Sequence, residues 1–165
     1  MKKILLTAGL VVATSLSVNA QVSQNAIGLR FGDSDGLGAE VSYQRSLTSN
    51  NRLEANLGWR GGNNINFLKV TGIYQWYWPI ENNFVWYAGV GGAVGTWSYS
   101  YNHPLTGKLS DSGASVAAAG QIGIEYHFNI PLQVSLDFKP EFNLMKSDHY
   151  NSFGRDIALS VRYKF

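Results

Sequence analysis

The sequence has no cysteine, few charged residues and no long hydrophobic segment. Without cysteine, disulfide bonds and thiol chemistry are excluded. Charged residues make up 15% of the chain, well below the roughly 25% of soluble domains. The net charge of +2 comes from scattered basic residues and does not indicate a nucleic acid partner. A mean hydropathy of −0.11 excludes a bundle of transmembrane helices. Three dispersed histidines do not have metal-ligand spacing, so neither a metal nor another cofactor is expected.

Aromatic residues are abundant, at 13%, and the chain ends in a regular pattern of apolar residues. In residues 153–165, apolar side chains occupy every second position from Ile157 to Phe165, and Asp156, Arg162 and other small or polar residues take the alternate ones. Successive side chains of a strand point to opposite faces. This stretch therefore predicts a strand with one wholly apolar face and one charged face.

Residues 1–20 have the features of a secretory signal peptide. Two lysines precede an apolar run, 4–13, and Val18 and Ala20 place small residues at the two positions that signal peptidase reads. The run is too short to cross a bilayer, which needs about 20 apolar residues. We therefore expect cleavage after Ala20, export, and a single mature domain, 21–165.

The same alternation recurs along the mature chain and predicts eight strands, joined alternately by short and longer connections. The predicted strands are 26–31, 37–45, 52–60, 67–78, 84–95, 114–128, 132–142 and 153–165. Glycines blur the two faces of strand 84–95, in which Trp86, Ala88, Val90 and Val94 are assigned outward and a β-bulge near Gly91 and Gly92 is allowed for.

No residue assigned to the apolar faces of these strands is charged. The charged residues assigned to the opposite, inward faces are Arg30, Glu40, Glu54, Arg60, Lys69, Glu125, Asp137, Lys139, Glu141, Asp156 and Arg162. A soluble sandwich or lipocalin shows the reverse arrangement, whereas an apolar exterior around a charged interior is typical of a transmembrane barrel. The predicted fold class is an all-β, eight-stranded antiparallel up-and-down transmembrane β-barrel.

Aromatic residues fall at both ends of the predicted strands, as in the two girdles that membrane interfaces favour. If the first strand starts at the periplasmic side, the periplasmic girdle contains Tyr43, Trp76, Trp78, Phe84, Trp86, Tyr126, Phe128, Tyr163 and Phe165. The opposite girdle contains Trp59, Trp97, Tyr99, Phe142 and Phe153.

In size, strand count, short periplasmic turns, longer outer loops and terminal Phe, the mature chain resembles the small eight-stranded barrels of the OmpA transmembrane domain and OmpX class. Val161, Tyr163 and Phe165 resemble the carboxyl-terminal signal of outer-membrane barrels. The resemblance implies location in the outer membrane of a Gram-negative bacterium, contact with its lipid and lipopolysaccharide, and recognition by the barrel assembly machinery. It implies fold and location but no particular activity.

The interior of an eight-stranded barrel is just wide enough to be filled by its own side chains. Acids and bases are nearly balanced in the inward set, and charges removed from water need partners. We therefore expect a mutually paired network that plugs the lumen, rather than a general diffusion pore. A gated narrow ion path is the alternative.

Function is then expected in the outer loops, which the rigid barrel holds exposed. Candidate contact residues in loops 96–113 and 143–154 are Trp97, Tyr99, Tyr101, His103, Lys146, His149 and Tyr150. Their aromatic rings either offer contact surface to a protein, glycan or lipopolysaccharide, or extend the interfacial girdle. The leading hypothesis is a non-enzymatic, porin-like barrel that contributes to envelope integrity or binds a partner through these loops.

Two alternatives follow from the same sequence. Some barrels that this chain resembles deacylate lipid A with a Ser, His and acidic set near the outer rim. The candidates here are His149 with Asp148 and Ser147 or Ser152, and His103 with Asp111 and Ser110, but no family motif surrounds either histidine and no catalytic residue is assigned. The other alternative is an accessory subunit of an outer-membrane assembly that packs through small outward residues.

Overall fold

The computed structural model describes residues 24–32, 38–61, 65–103, 107–144 and 153–165, in which all regular structure is β-strand. The strands are β1 (Asn25–Phe31), β2 (Ala39–Ser46), β3 (Asn51–Gly61), β4 (Ile65–Pro79), β5 (Phe84–His103), β6 (Gly107–His127), β7 (Leu132–Asn143) and β8 (Phe153–Lys164). Within these ranges no helix is long and apolar enough to cross a membrane. The predicted signal peptide, 1–20, lies outside the described residues.

Each strand pairs antiparallel with the next, and β1 pairs with β8 from Ala26 opposite Lys164 to Phe31 opposite Leu159. The sheet is therefore a closed eight-stranded barrel, and the predicted fold class is confirmed. Closure leaves no free edge around the body of the barrel and satisfies the backbone internally, which the hydrocarbon layer requires.

Alternation along the strands separates an apolar exterior from a polar interior. Ile157, for example, is 67% exposed, whereas its neighbours Asp156 and Ala158 are buried. The predicted outward phase of Trp86, Val90 and Val94 is confirmed.

The β-bulge that the sequence allowed near Gly91 and Gly92 is absent from the structure. Pairing of β5 with both β4 and β6 runs without interruption through these residues. A Cβ on Gly91 would lie 1.9 Å from the carbonyl oxygen of Gly72. The glycine therefore allows a close approach of two strand backbones, and no extra residue is inserted.

The predicted loop 96–113 is largely wrong, because its residues continue β5 and β6 as a long hairpin. Among the described residues, β4 pairs with β5 as far as Ile65 opposite Tyr99, and β7 pairs with β6 from Asn143 opposite Ala117. The hairpin thus continues beyond its neighbours. Its alternating hydroxyl and aromatic residues have good strand propensity, and their polarity reflects a position outside the apolar layer. The strand ends outside this hairpin coincide with the prediction or differ from it by one or two residues.

The barrel end that carries Asn25 and Lys164, called the near end, has the short connections 47–50, 80–83 and 128–131. In 80–83, Asn82 and Asn83 have φ angles of 50° and 70°, which asparagine tolerates better than most residues. The opposite end, called the far end, carries the β5–β6 hairpin.

Aromatic side chains cluster at the near end, where the sequence predicts a girdle. Trp78 stacks on Trp86 with ring centroids 4.3 Å apart. Tyr126 contacts both Phe84 and Phe128, each with ring centroids 4.8 Å away. Interfacial aromatic rings of this kind fix the depth of a barrel in the bilayer.

Candidate functional site

The charged side chains predicted to face inward converge inside the barrel. Ten of the eleven are buried: Arg30, Glu40, Glu54, Lys69, Glu125, Asp137, Lys139, Glu141, Asp156 and Arg162. The eleventh, Arg60, lies in β3, but its side chain is outside the described part. Strand alternation places these residues on the inner faces, and the lumen then brings together groups that are far apart in sequence.

Arg30 is the centre of one cluster, here called the Arg30 cluster. Its Nη1 donates to Asp156 Oδ2 at 2.5 Å and to Glu40 Oε2 at 3.1 Å, and its Nη2 donates to Asp137 Oδ1 at 2.6 Å. Lys139 Nζ lies 3.4 Å from Glu40 Oε2 and 3.9 Å from Asp156 Oδ2. Two cations therefore hold three carboxylates contributed by β2, β7 and β8.

Glu54 is the centre of a second cluster, nearer the near end. Five side-chain donors reach its two oxygens: Gln44 at 2.8 Å, Asn56 and Gln75 at 2.9 Å, Arg162 at 3.1 Å and Gln121 at 3.2 Å. Arg162 also donates to Ser42 Oγ at 2.9 Å and to Ser135 Oγ at 2.8 Å. A buried carboxylate with this many donors is held in one position and is fully compensated.

Glu125 forms a third cluster at the near end, together with a residue that the sequence analysis missed. Arg52 Nη1 donates to Glu125 Oε1 at 2.7 Å, and His127 Nε2 lies 2.6 Å from the same oxygen. The Arg52 guanidinium also lies over the rings of Tyr77 and Tyr87, at 5.4 and 4.8 Å from their centroids. Arg52 is two residues before Glu54 and in the same phase, so strand alternation could have identified it.

Lys69 and Glu141 continue the network toward the far end, with Lys69 Nζ 2.6 Å from Glu141 Oε2. A pocket of about 20 Å³ lies beside this pair. At the near end a cavity of about 420 Å³, lined by Arg52, His127 and other polar residues, opens from the barrel mouth. Between the two, the three clusters occupy the lumen.

The lumen chemistry is that of charge compensation. Its carboxylates accept hydrogen bonds from arginine, lysine and amide donors, and no hydroxyl nucleophile is paired with a histidine among the described side chains. Within the described ranges, no group of three His, Asp or Glu side chains could hold a metal ion.

The predicted contact residues of the far end are only partly described. Trp97 is on β5, is half-buried, and its indole lies where a side chain on Gly113 would be, at 2.7 Å from a Cβ there. Tyr99, on the same strand, is exposed. The side chains of Tyr101 and His103, and residues Lys146, His149 and Tyr150, lie outside the described part.

The strand register separates the members of one predicted hydrolase set. His103 lies opposite Gly107, whereas Asp111 lies opposite Tyr99, four residues further along the hairpin. At about 3.3 Å per residue this is a separation of roughly 13 Å along the strand, and Ser110 lies opposite Ser100. Asp111 Oδ1 instead accepts a hydrogen bond from the Ser112 backbone N–H at 2.9 Å. The second set, around His149, lies outside the described residues.

A groove of about 560 Å³ lies on the outward face at the far end, where β3 and β4 end beside the β5–β6 hairpin. This feature, called the far-end groove, is lined by the outward residues Trp59, Gly61, Asn66, Leu68, Thr96, Ser98 and Ser112, with Phe67, Trp97 and Gly113 behind them. Sequence reasoning placed Trp59 in a girdle but missed the groove, because its walls come from four strands.

The predicted assembly signal consists of Val161 and Tyr163, on the outward face of β8, and Phe165, which follows its last residue; all three are exposed. Their use by the assembly machinery stays a prediction.

A closed antiparallel barrel with an apolar exterior and a charged interior is a transmembrane β-barrel of the outer-membrane class. The protein is accordingly a small eight-stranded outer-membrane β-barrel, as predicted. Comparison with known proteins agrees at the level of fold, although no family model and no curated protein matches the chain.

Solved structures of this fold superpose along most of the chain. Neisserial surface protein A has a TM-score of 0.59 at 12% identity, over 86% of this chain and 94% of that one. The amino-terminal barrel domain of Pseudomonas aeruginosa OprF has a TM-score of 0.59 at 13% identity, over 88% and 100%. The attachment invasion locus protein Ail of Yersinia pestis has a TM-score of 0.57 at 15% identity, over 86% and 96%. At these identities the likeness concerns the fold alone.

Proposed function

We propose that the protein is a non-enzymatic outer-membrane barrel with a closed lumen, which stabilises the envelope and binds a partner at its far end, on the cell exterior. The observation that carries the proposal is the network of ion pairs across the lumen, from Arg52 and Glu125 at the near end to Lys69 and Glu141 at the far end. A side chain that leaves this network leaves a buried charge without its partner, so thermal opening of a wide path through the lumen is unfavourable.

The far end supports the binding part of the proposal. The β5–β6 hairpin continues beyond β4 and β7 and presents aromatic and hydroxyl side chains on a rigid base. A barrel of the same fold, Ail, has been crystallised with the heparin analogue sucrose octasulfate. A saccharide is therefore a reasonable class of partner to test.

Conductance measurements test the closed lumen. The mature chain, refolded and inserted into planar bilayers, is expected to give no stable current steps. The double variant Glu54→Ala with Arg162→Ala removes one acid and one base that contact each other at 3.1 Å, so it opens space without changing net charge. We expect it to conduct. Stable current steps from the unaltered protein would overturn the closed-lumen proposal.

Shortening the hairpin tests binding at the far end. Ser98 lies opposite Ser112, so residues 99–111 can be replaced by Asn-Gly, which favours a two-residue hairpin turn. The barrel should still migrate as a compact band before heating, and binding of cells to immobilised saccharides should fall. Unchanged binding would count against the hairpin as a binding element. Lipid A recovered from the same membranes should keep its mass, because no hydrolase activity is proposed.

The absence of cysteine allows the orientation to be measured directly. Leu144 is exposed at the far end and Ile130 is exposed at the near end. A membrane-impermeant maleimide added to intact cells should label Leu144→Cys and leave Ile130→Cys unlabelled until the outer membrane is opened. The reverse pattern would place the far end in the periplasm.

A further inference from the structure

We propose that the far-end groove binds the sugar headgroup of an outer-leaflet glycolipid, whose acyl chains lie along the barrel wall below it. The inference rests on the proposed function, because it requires the far end to face the cell exterior.

Three rows of outward residues across β3 to β6 define where the groove lies relative to the membrane. The strand register places Leu57, Val70, Val94 and Val116 side by side in the first row, which is wholly apolar. The next row toward the far end is Trp59, Leu68, Thr96 and Ala114, and the last is Gly61, Asn66, Ser98 and Ser112. Polarity therefore rises from apolar to amphipathic to hydroxyl and amide over four residues of strand, so this surface spans the boundary between hydrocarbon and headgroups.

The groove lies on the second and third of these rows, and the described residues of its lining include no charged one. Trp59, which is 59% exposed, forms its apolar wall, and Asn66, Ser98 and Ser112 supply donors and acceptors on the opposite side. A sugar ring presents both features, an apolar C–H face and a rim of hydroxyls, and tryptophan combines a large apolar surface with a polar N–H. A phosphate would find no cation among the described residues of this lining. The volume of about 560 Å³ is within the range of about 300–1,000 Å³ typical of small-molecule sites.

Continuity with the lipid-facing surface identifies the occupant as a lipid rather than a soluble glycan. The groove opens directly onto the apolar first row, in which Val70 and Val94 are exposed. A glycolipid with its sugar in the groove has its acyl chains against this row. The sugar then contacts polar residues and the acyl chains contact apolar ones. A soluble saccharide would use only the polar part of the same surface.

Lipid A is a suitable probe, and cardiolipin is a matched comparison because it also carries two phosphates and several acyl chains but no sugar. The full mature chain is placed in phosphatidylcholine nanodiscs with either lipid, and lipid retained on release is measured by native mass spectrometry. We expect retention of lipid A over cardiolipin. The double variant Trp59→Ala with Ser98→Val should reduce lipid A retention by about tenfold, the equivalent of one aromatic contact and one hydrogen bond.

Two further variants separate loss of binding from loss of folding. Trp86→Ala removes an outward tryptophan from the near end, 41% exposed against 59% for Trp59, and should leave lipid A retention unchanged. Ser112→Trp fills the groove without removing its other walls and should reduce retention as strongly as the double variant. Heat-modifiable gel mobility checks that each variant is folded.

Equal retention of lipid A by the double variant and the unaltered protein would overturn the groove assignment. Equal retention of cardiolipin and lipid A would overturn the assignment of a sugar-binding role, since a phospholipid would then serve as well. The maleimide experiment reads orientation independently of lipid retention. If the barrel has the expected orientation but the groove does not retain lipid A, only the groove assignment is refuted and the proposed function is unaffected. A reversed orientation would refute both.

Discussion

Replacing Arg30 with methionine removes the cation at the centre of the Arg30 cluster and keeps much of its apolar volume. Both oxygens of Asp137 accept from this guanidinium, at 2.6 and 3.4 Å, while Glu40 and Asp156 keep Lys139 within 3.9 Å. Asp137 is therefore the carboxylate that the removal of Arg30 affects most. Removing one partner of a buried ion pair costs about 3–5 kcal/mol, and we expect Arg30→Met to lower the free energy of unfolding by this amount.

The assay is guanidinium unfolding of the barrel refolded in lipid vesicles, followed by tryptophan fluorescence. Arg45→Met is the matched control, because Arg45 is exposed at the near end and its loss should change stability by less than about 0.5 kcal/mol. Adding Asp137→Asn to Arg30→Met removes the uncompensated charge and should restore at least about 1 kcal/mol. A cost below about 1 kcal/mol for Arg30→Met alone would refute the view that the network is a tightly coupled plug, and would indicate water in the lumen.

Five other substitutions, at four positions, test the backbone and the packing by the same unfolding assay. Gly91→Ala should destabilise the barrel by about 3 kcal/mol, because its Cβ would lie 1.9 Å from a carbonyl oxygen. Gly72→Ala is the control and should be nearly neutral, because a Cβ there would have nothing within 4 Å. Equal effects of the two substitutions would contradict the close approach of the strands at Gly91. Asn83→Val should cost about 1–2 kcal/mol, because a β-branched residue disfavours a φ of 70°, and Asn83→Gly should not. Tyr87→Phe should be neutral or stabilising by up to about 1 kcal/mol, because the buried Tyr87 hydroxyl has no hydrogen-bond partner among the described residues; a clear loss of stability would show that it has one.

The architecture could be predicted because the lipid-facing and inward-facing residues of a membrane barrel differ in polarity and alternate along each strand. A period of two, with charge confined to one phase, is sufficient to indicate strands, their inward faces and closure. The lumen residues could be predicted for the same reason, because the correct phase of the strand alternation is sufficient to place Arg30 or Glu54 inside the barrel. Arg52 was missed at the edge of a predicted strand, where the alternation has no preceding residue to support it.

The far end was harder to predict because the period of two carries no information about depth. Residues 96–103 alternate as regularly as any membrane strand, but their serines and threonine favoured a loop over a strand that leaves the apolar layer. The far-end groove depends on which residues of four strands lie side by side. Strand register is a relation between distant segments, so no single stretch of sequence contains it.

The Arg30 cluster also bears on how the barrel reaches its final state. Glu40 is ten residues from Arg30, but Asp137 and Asp156 are 107 and 126 residues away, and they meet Arg30 only when β1 joins β8. Contacts of such sequence separation form late, because the intervening chain must first be ordered. A slip of one residue at this seam would turn Arg30 toward lipid, at a cost of about 2–4 kcal/mol near the bilayer midplane. The ion pairs in the lumen thus favour the native register of β1 and β8 during assembly. In a slipped register the acids and bases would not meet, and the closed barrel would be less stable.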